Sequence, residues 1–163
     1  MILPDSGERR QFDSGAVRDI AQGKGRCDLM PLGVIGVWMN HPCLCRINEY
    51  LYTGETVNLW YALTKFISER EQNIYTALLE VAKHFEDGAV KYGDRNWEKG
   101  IPVHCYIDSA VRHYLKFQRG DADEPHDRAF MWNILCAIWT HEHHPKLIDI
   151  PAYKTTKEEH ECK

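Results

Sequence analysis

No stretch of this chain approaches the roughly 18 consecutive apolar residues that a membrane-spanning helix needs. The opening residues, MILPDSGERRQF, hold no apolar core of the secretory kind ahead of their charges, so the expected location is the cytoplasm. A basic surplus is missing too: 20 Lys and Arg stand against 24 Asp and Glu, for a net charge of -4. That balance argues against a general nucleic-acid or anionic-membrane binder, while leaving room for a local basic pocket. The six cysteines, at 27, 43, 45, 105, 136 and 162, lack the pattern of a small disulfide-held secreted fold, and reduced thiols are expected. The Gly-containing stretch at 23–31 lacks the G-x-x-x-x-G-K-[ST] spacing and is no P-loop. Internal repeats, low-complexity blocks and runs of alternating strands with hairpin turns are also missing.

What is present is one domain's worth of chain, 163 residues with 44% hydrophobic and 27% charged, ordinary for a soluble globular protein. Residues 1–30 are polar and read as an irregular N-terminal arm with one short helical turn after Ser14. Residues 31–52 are apolar but broken by Pro31, Gly33, Gly36 and Pro42, which suggests short helices and turns. A helical period then takes over. Trp60, Leu63, Phe66 and Ile67 share a face over 56–70, with Thr56 as N-cap. Asn73 is placed to cap a helix to about Tyr92, whose stripe is Ile74, Leu78, Val81, Phe85, Ala89 and Tyr92, with Gly93 just past its end. Pro102 opens a third helix to about Gln118, and Pro125 a fourth to about His143, stopped before Pro145. The charged tail from 154 to 163 is expected to fray. The expected fold is all-α, a single-domain bundle of four to five main helices.

Acids sit close to the apolar stripes. On the 73–92 helix, Glu80, His84, Asp87 and Lys91 step by four, three and four, one position before core residues and so about 100° around the helix from them. The third helix offers Asp108 and Arg112, and the fourth Asp127, on the stripe of Phe130, Ile134 and Ile138, and Asn133. Carboxylates projecting from several helices suit a hard cation such as Mg²⁺. Taken singly, each acid is equally a solvated helix acid or a first-turn partner of the macrodipole.

Four stretches carry a resemblance: SGAVRD at 14–19, GKGRCDLMP at 23–31, GAVKYGDRNWEKG at 88–100, and DSAVRHYLKFQRGD at 108–121, running on into DEPHDRAFMWN at 123–133. In order and spacing they resemble a phage family of dATP/dGTP diphosphohydrolases with MazZ-like members, distantly similar to the all-α MazG-like nucleotide pyrophosphohydrolases. The resemblance implies cleavage of a purine deoxynucleoside triphosphate to the monophosphate and pyrophosphate, with Mg²⁺ or Mn²⁺, in a homo-oligomer. In phages that replace adenine with 2-aminoadenine, the dGMP so made would feed synthesis of the modified purine, within the host cytoplasm. The catalytic acids expected, from the helix stripes rather than from the family's motif, are Glu80, Asp87, Asp108 and Asp127, and His84 joins them as a metal ligand. MazG-like enzymes carry E-x-x-E and then E-x-x-D, a pattern this chain departs from, since Glu80 is followed by Lys83. Lys24, Arg26, Lys91, Arg95 and Arg112 are the candidates to neutralise phosphate. Asn96, Trp97 and Asn133 complete the candidate substrate contacts, with Asn96 and Trp97 placed to read or stack on the base.

Two other readings stand beside this one. An HD-type phosphohydrolase would use His126 and Asp127, with His104 or His113 upstream and Asp149 downstream, and would hold a transition metal rather than Mg²⁺. A non-catalytic helical binding protein is the second, with structural zinc on Cys27, His41, Cys43 and Cys45, or metal on His141, His143 and His144, as features it would carry. An apolar surplus that includes Trp60, Trp132 and Trp139 suggests faces buried against further copies of the chain. Choice between dGTP and dATP depends on pocket geometry.

Overall fold

Asn73 sets the start of the longest helix by accepting a hydrogen bond from the Tyr75 N–H at 2.9 Å. That helix belongs to an all-α structure with one small hairpin, described over residues 7–153 by a computed structural model. The strands are β1 (Arg9–Gln11) and β2 (Val17–Asp19). The helices are α1 (Leu32–Trp38), α2 (Pro42–Thr53), α3 (Val57–Glu69), α4 (Ile74–Tyr92), α5 (Val103–Arg119) and α6 (His126–His143). Single 3-10 turns lie at Cys27–Leu29, Asn96–Lys99 and Pro145–Leu147. The expected tail from 154 to 163 lies outside the described residues.

The later helices match the periodic segments in the sequence. Pro102 and Pro125 each stand one residue before their helix. Gly93, at φ 89°, follows α4. Thr56 precedes α3, but its hydroxyl caps nothing. One expectation is corrected, and the short helices expected over 31–52 are found as α1 and α2. The arm is not irregular: β1 and β2 pair antiparallel, with Arg9 opposite Asp19 and Gln11 opposite Val17, around a turn where Gly15 adopts φ 81°. Residues 42–53 form a full three-turn helix, because Pro42 occupies its first turn, where no N–H is missed. Gly54 ends it in the left-handed conformation, and a Cβ there would meet the Tyr153 ring at 2.6 Å.

The core gathers around Phe66. Its ring lies 4.5 Å from that of Phe130, 5.3 Å from Phe117 and 6.0 Å from Tyr114, joining α3 to α5 and α6. α5 runs along α6, α4 lies on α6, and α2 joins α1 to α3. Cys27, Cys43, Cys45, Cys105 and Cys136 are unbridged.

Long-range polar contacts fix the hairpin on this bundle. The Asn96 side chain accepts from the Val17 N–H at 2.9 Å and donates to the Val17 carbonyl at 2.8 Å, as a neighbouring strand would. The Ser14 hydroxyl donates to the Gly100 carbonyl. At the far end, Asp149 takes both the His104 N–H, at 2.9 Å, and the His104 ring. That carboxylate is the main reason the imidazole pKa rises to about 10, with Cys105 second and burial opposing.

Candidate active site

The hairpin closes one side of a cavity of about 720 Å³, whose other walls are α4, the Asp94–Trp97 turn, α5 and α6. Its charge is uneven. Arg10, Arg18, Lys24, Lys91, Arg95, Arg112 and Lys116 line it, against Asp19, Glu86, Asp94, Asp108 and Glu124. Several of these cations are matched. Lys91 reaches Asp19 at 2.7 Å and Lys116 reaches Asp123 at 2.9 Å. Arg95 pairs with Glu98, and Arg112 pairs with Asp108 while donating to the Lys24 and Gly25 carbonyls at 3.2 Å.

Arg10, Arg18 and Lys24 have no carboxylate partner among the described residues. Arg18 donates only to neutral acceptors: the Cys105 carbonyl at 3.3 Å, Ser109 Oγ at 3.2 Å and Asn133 Oδ1 at 3.0 Å. Its guanidinium lies over the rings of Tyr106 and Trp132, 5.1 and 5.7 Å from their centroids. Partial burial, with Arg112 and Lys91 adding to it and Asp19 opposing, brings the Lys24 ammonium below its ordinary 10.5. The wall is thus short of negative charge, a condition that favours an anionic ligand.

Aromatic rings supply the remaining wall. Phe85, Trp97 and Trp132 line the cavity, with Phe85 5.5 Å from Trp97 and 5.9 Å from Trp132. Buried His84 faces Trp132 at 5.6 Å, and its Nδ1 has no partner. Burial is the chief reason its pKa falls to about 4, Arg128 adding to it, so the ring presents itself neutral.

Of the residues singled out in the sequence, Lys24, His84, Lys91, Arg95, Asn96, Trp97, Asp108, Arg112 and Asn133 line this one cavity. Arg26 lies off its wall, paired with Asp28 at 2.6 Å. The acid stripe is not gathered. Glu80 pairs with Lys83 at 2.6 Å and Asp127 with Arg70 at 2.6 Å, and neither they nor Asp87 reaches the wall. Asp108 is engaged by the Cys27 N–H at 2.7 Å and by Arg112. For Glu80 the reason is height: the 19 residues of α4 extend about 28 Å, and only the part from His84 onward borders the cavity, whose wall Asp87 within that part does not line. Asn96 and Asn133 are also committed, the first to Val17 and the second to Arg18 and the Ala129 carbonyl.

The alternative ligand sets do not assemble either. Asp149 belongs to His104 and Asp127 to Arg70, so the HD quartet is split. His41 pairs with the Tyr114 hydroxyl, and no group of close potential ligands among the described residues contains a cysteine. His141, His143 and His144 turn to Tyr50, the Trp139 carbonyl and the Glu98 carbonyl respectively. A different trio does come together: His113, Glu124 and His126. The sequence reading did not single out Arg10, Arg18, Asp19 or Glu124 as site residues. Arg18, Asp19 and Glu124 fall inside the stretches that carry the family resemblance, which was the available signal, while periodicity marks none of them.

The cavity thus joins a surplus of cations to aromatic walls in a helical scaffold. Residues 69–150, half of the chain, match the family described as dATP/dGTP diphosphohydrolase, N-terminal, and the chain belongs to that family of hydrolytic enzymes. No curated protein and no solved structure matches it.

Proposed function

We propose that this chain hydrolyses a purine deoxynucleoside triphosphate, dGTP or dATP, to the monophosphate and pyrophosphate within the cavity. The observation that carries the reading is the trio Arg10, Arg18 and Lys24, cations without carboxylate partners among the described residues, on the wall of a cavity large enough for a nucleotide. These cations bind the phosphates, Arg10 with a fork that a phosphate matches and Arg18 with its charge and the N–H groups its neutral acceptors leave over. Phe85, Trp97 and Trp132 cover the base and keep bulk water from it. With Asn96 spent on Val17, reading of the base falls to His84, whose neutral ring has Nδ1 to spare.

The resemblance adds a divalent cation, Mg²⁺ or Mn²⁺, which would polarise a phosphoryl oxygen and lower the pKa of a bound water. The acid set first expected to hold it is not gathered: Glu80 and Asp127 are ion-paired off the cavity wall, and Asp108 is engaged by Arg112 on it. In a phage that builds 2-aminoadenine DNA, the dGMP formed would enter synthesis of the modified purine.

Product analysis with each of the four deoxynucleoside triphosphates, in Mg²⁺, Mn²⁺ or chelator, tests the reading. Purine monophosphate plus pyrophosphate, lost in chelator, is the expected result. Nucleoside plus tripolyphosphate would instead support HD-type chemistry, and no turnover in any metal would overturn the proposal in favour of a binding protein.

The working form is a homo-oligomer. Trp132 and Trp139 pack within the chain, so they no longer argue for it. Support comes from α1 and α3, where Val34, Val37 and Trp38, and Val57, Trp60 and Tyr61, remain exposed. Light scattering at micromolar concentration should give more than one chain's mass; a monomer would end this part of the proposal.

A further inference from the structure

We propose that His113, Glu124 and His126 form a binding site for one divalent first-row transition-metal ion, with Asp123 as the hydrogen-bond partner behind it. The site differs in place and donor chemistry from the carboxylate set expected for Mg²⁺.

The geometry is that of a ligand triangle. His113 Nδ1 and His126 Nδ1 stand 3.0 Å apart. Each is 3.5 Å from Glu124 Oε1. Metal–nitrogen bonds of about 2.0–2.1 Å and metal–oxygen bonds of about 2.0–2.2 Å, meeting at tetrahedral or octahedral angles, place ligand atoms ~2.9–3.5 Å apart. All three edges of the triangle fall there, so one ion reaches all three atoms with little movement.

The tautomer of His126 is set as a ligand needs. Its Nε2–H donates to Asp123 Oδ1 at 2.7 Å, which leaves the Nδ1 lone pair directed at the triangle. An imidazole whose second nitrogen is held by a carboxylate is the usual arrangement around a bound metal. His126 is 2% exposed and begins α6, while His113 lies on α5. The close packing of those two helices therefore fixes the two nitrogens relative to each other.

Donor type selects the ion. Two imidazoles and one carboxylate suit Mn²⁺ through Zn²⁺, whereas Mg²⁺ prefers oxygen throughout. The neighbouring group of Asp121, Asp123 and His126 is a weaker competitor. Asp121 is held in a two-bonded pair by Arg119, and Asp123 by Lys116 at 2.9 Å, so cations already occupy its carboxylates.

His113 and Glu124 also line the cavity, so the ion's remaining positions are offered to oxygen ligands there. If the nucleotide reading holds, those ligands are phosphoryl oxygens. The metal site itself stands without that reading, and its test uses no nucleotide.

The experiment titrates Co²⁺ into chelator-stripped full-length chain, reading the visible bands of protein-bound Co²⁺, with Zn²⁺ as competitor. One tightly bound ion per chain, displaced by Zn²⁺, is expected. His113→Gln and Glu124→Gln should each weaken binding by more than 100-fold while the helical circular dichroism is kept. Asp123→Asn should cost 10–100-fold, the usual effect of losing the partner behind a ligand. Asp121→Asn should change nothing. Failure of the unaltered chain to bind Co²⁺ would overturn the site and leave a hydrogen-bonded imidazole pair. Undiminished binding by a folded Glu124→Gln chain, or a large loss in Asp121→Asn, would overturn it as well. Tight Co²⁺ binding without nucleotide turnover would keep the site and remove the proposed function.

Discussion

Arg18→Met will lower kcat/KM for the preferred deoxynucleoside triphosphate by at least ~100-fold, about 2.7 kcal/mol of lost transition-state binding. The Arg18 charge is held in place by three neutral acceptors and two aromatic faces, so none of its charge is cancelled locally. In a partly dry cavity that charge acts on a phosphate through a lower effective dielectric than water provides. Truncating one side of a buried, hydrogen-bonded charge pair costs 2–5 kcal/mol or more, so the expected loss lies at the low end. Met keeps the length of the stem and limits the void. Arg18→Lys should retain part of the activity, because the charge remains while the planar fork is lost. Steady-state kinetics alongside circular dichroism gives the answer. Unimpaired turnover in a folded Arg18→Met chain would remove Arg18 from the substrate's path and weaken the whole phosphate assignment.

Phe66→Ala should cost 3–5 kcal/mol of folding stability, the range for deleting a buried aromatic ring. Phe66 is 1% exposed and touches rings from α5 and α6. Its loss reaches further than a void. The Arg70 guanidinium lies 5.3 Å from both the Phe66 and Phe117 centroids and pairs with Asp127 at 2.6 Å. Removing the ring withdraws one of the surfaces on which that arginine rests. Since domains keep only about 5–15 kcal/mol in all, the variant should unfold at much lower urea. A shift worth less than about 1 kcal/mol would mean that the neighbouring rings close the gap, against the close packing assigned to this centre.

The helices from 57 onward were legible because their signals are local. Asn73 bonds a backbone two residues ahead, Pro102 and Pro125 mark boundaries by their own rings, and the apolar stripe of α4 repeats at the helical period. The hairpin was not legible, because its three-residue strands are too short to alternate visibly. What holds it lies far along the chain: Asn96, the Gly100 carbonyl, and the partners of Arg18 and Asp19 on the helices. The candidate site shows the same division. Lys24, Lys91 and Arg112 could be suggested by residue type and family likeness. That Arg112 would be spent on Asp108, and Arg18 left with neutral partners, depends on distances between elements that no local pattern encodes. The acids are not brought together, because sharing a helix face is an angular relation: Glu80 stands short of the cavity along α4, and Asp127 on α6 is held by Arg70.

Asn96 grips Val17 through its backbone alone, by one N–H and one carbonyl. Such a grip is indifferent to the side chains of the segment it holds. Residues 69–150 contain that dock, while Arg10, Arg18 and Lys24 ride on the segment it holds, which Arg18 also ties to Cys105, Ser109 and Asn133. A change of charge at the side chain of Arg10 or Lys24 therefore alters the cavity wall while that backbone grip stays in place.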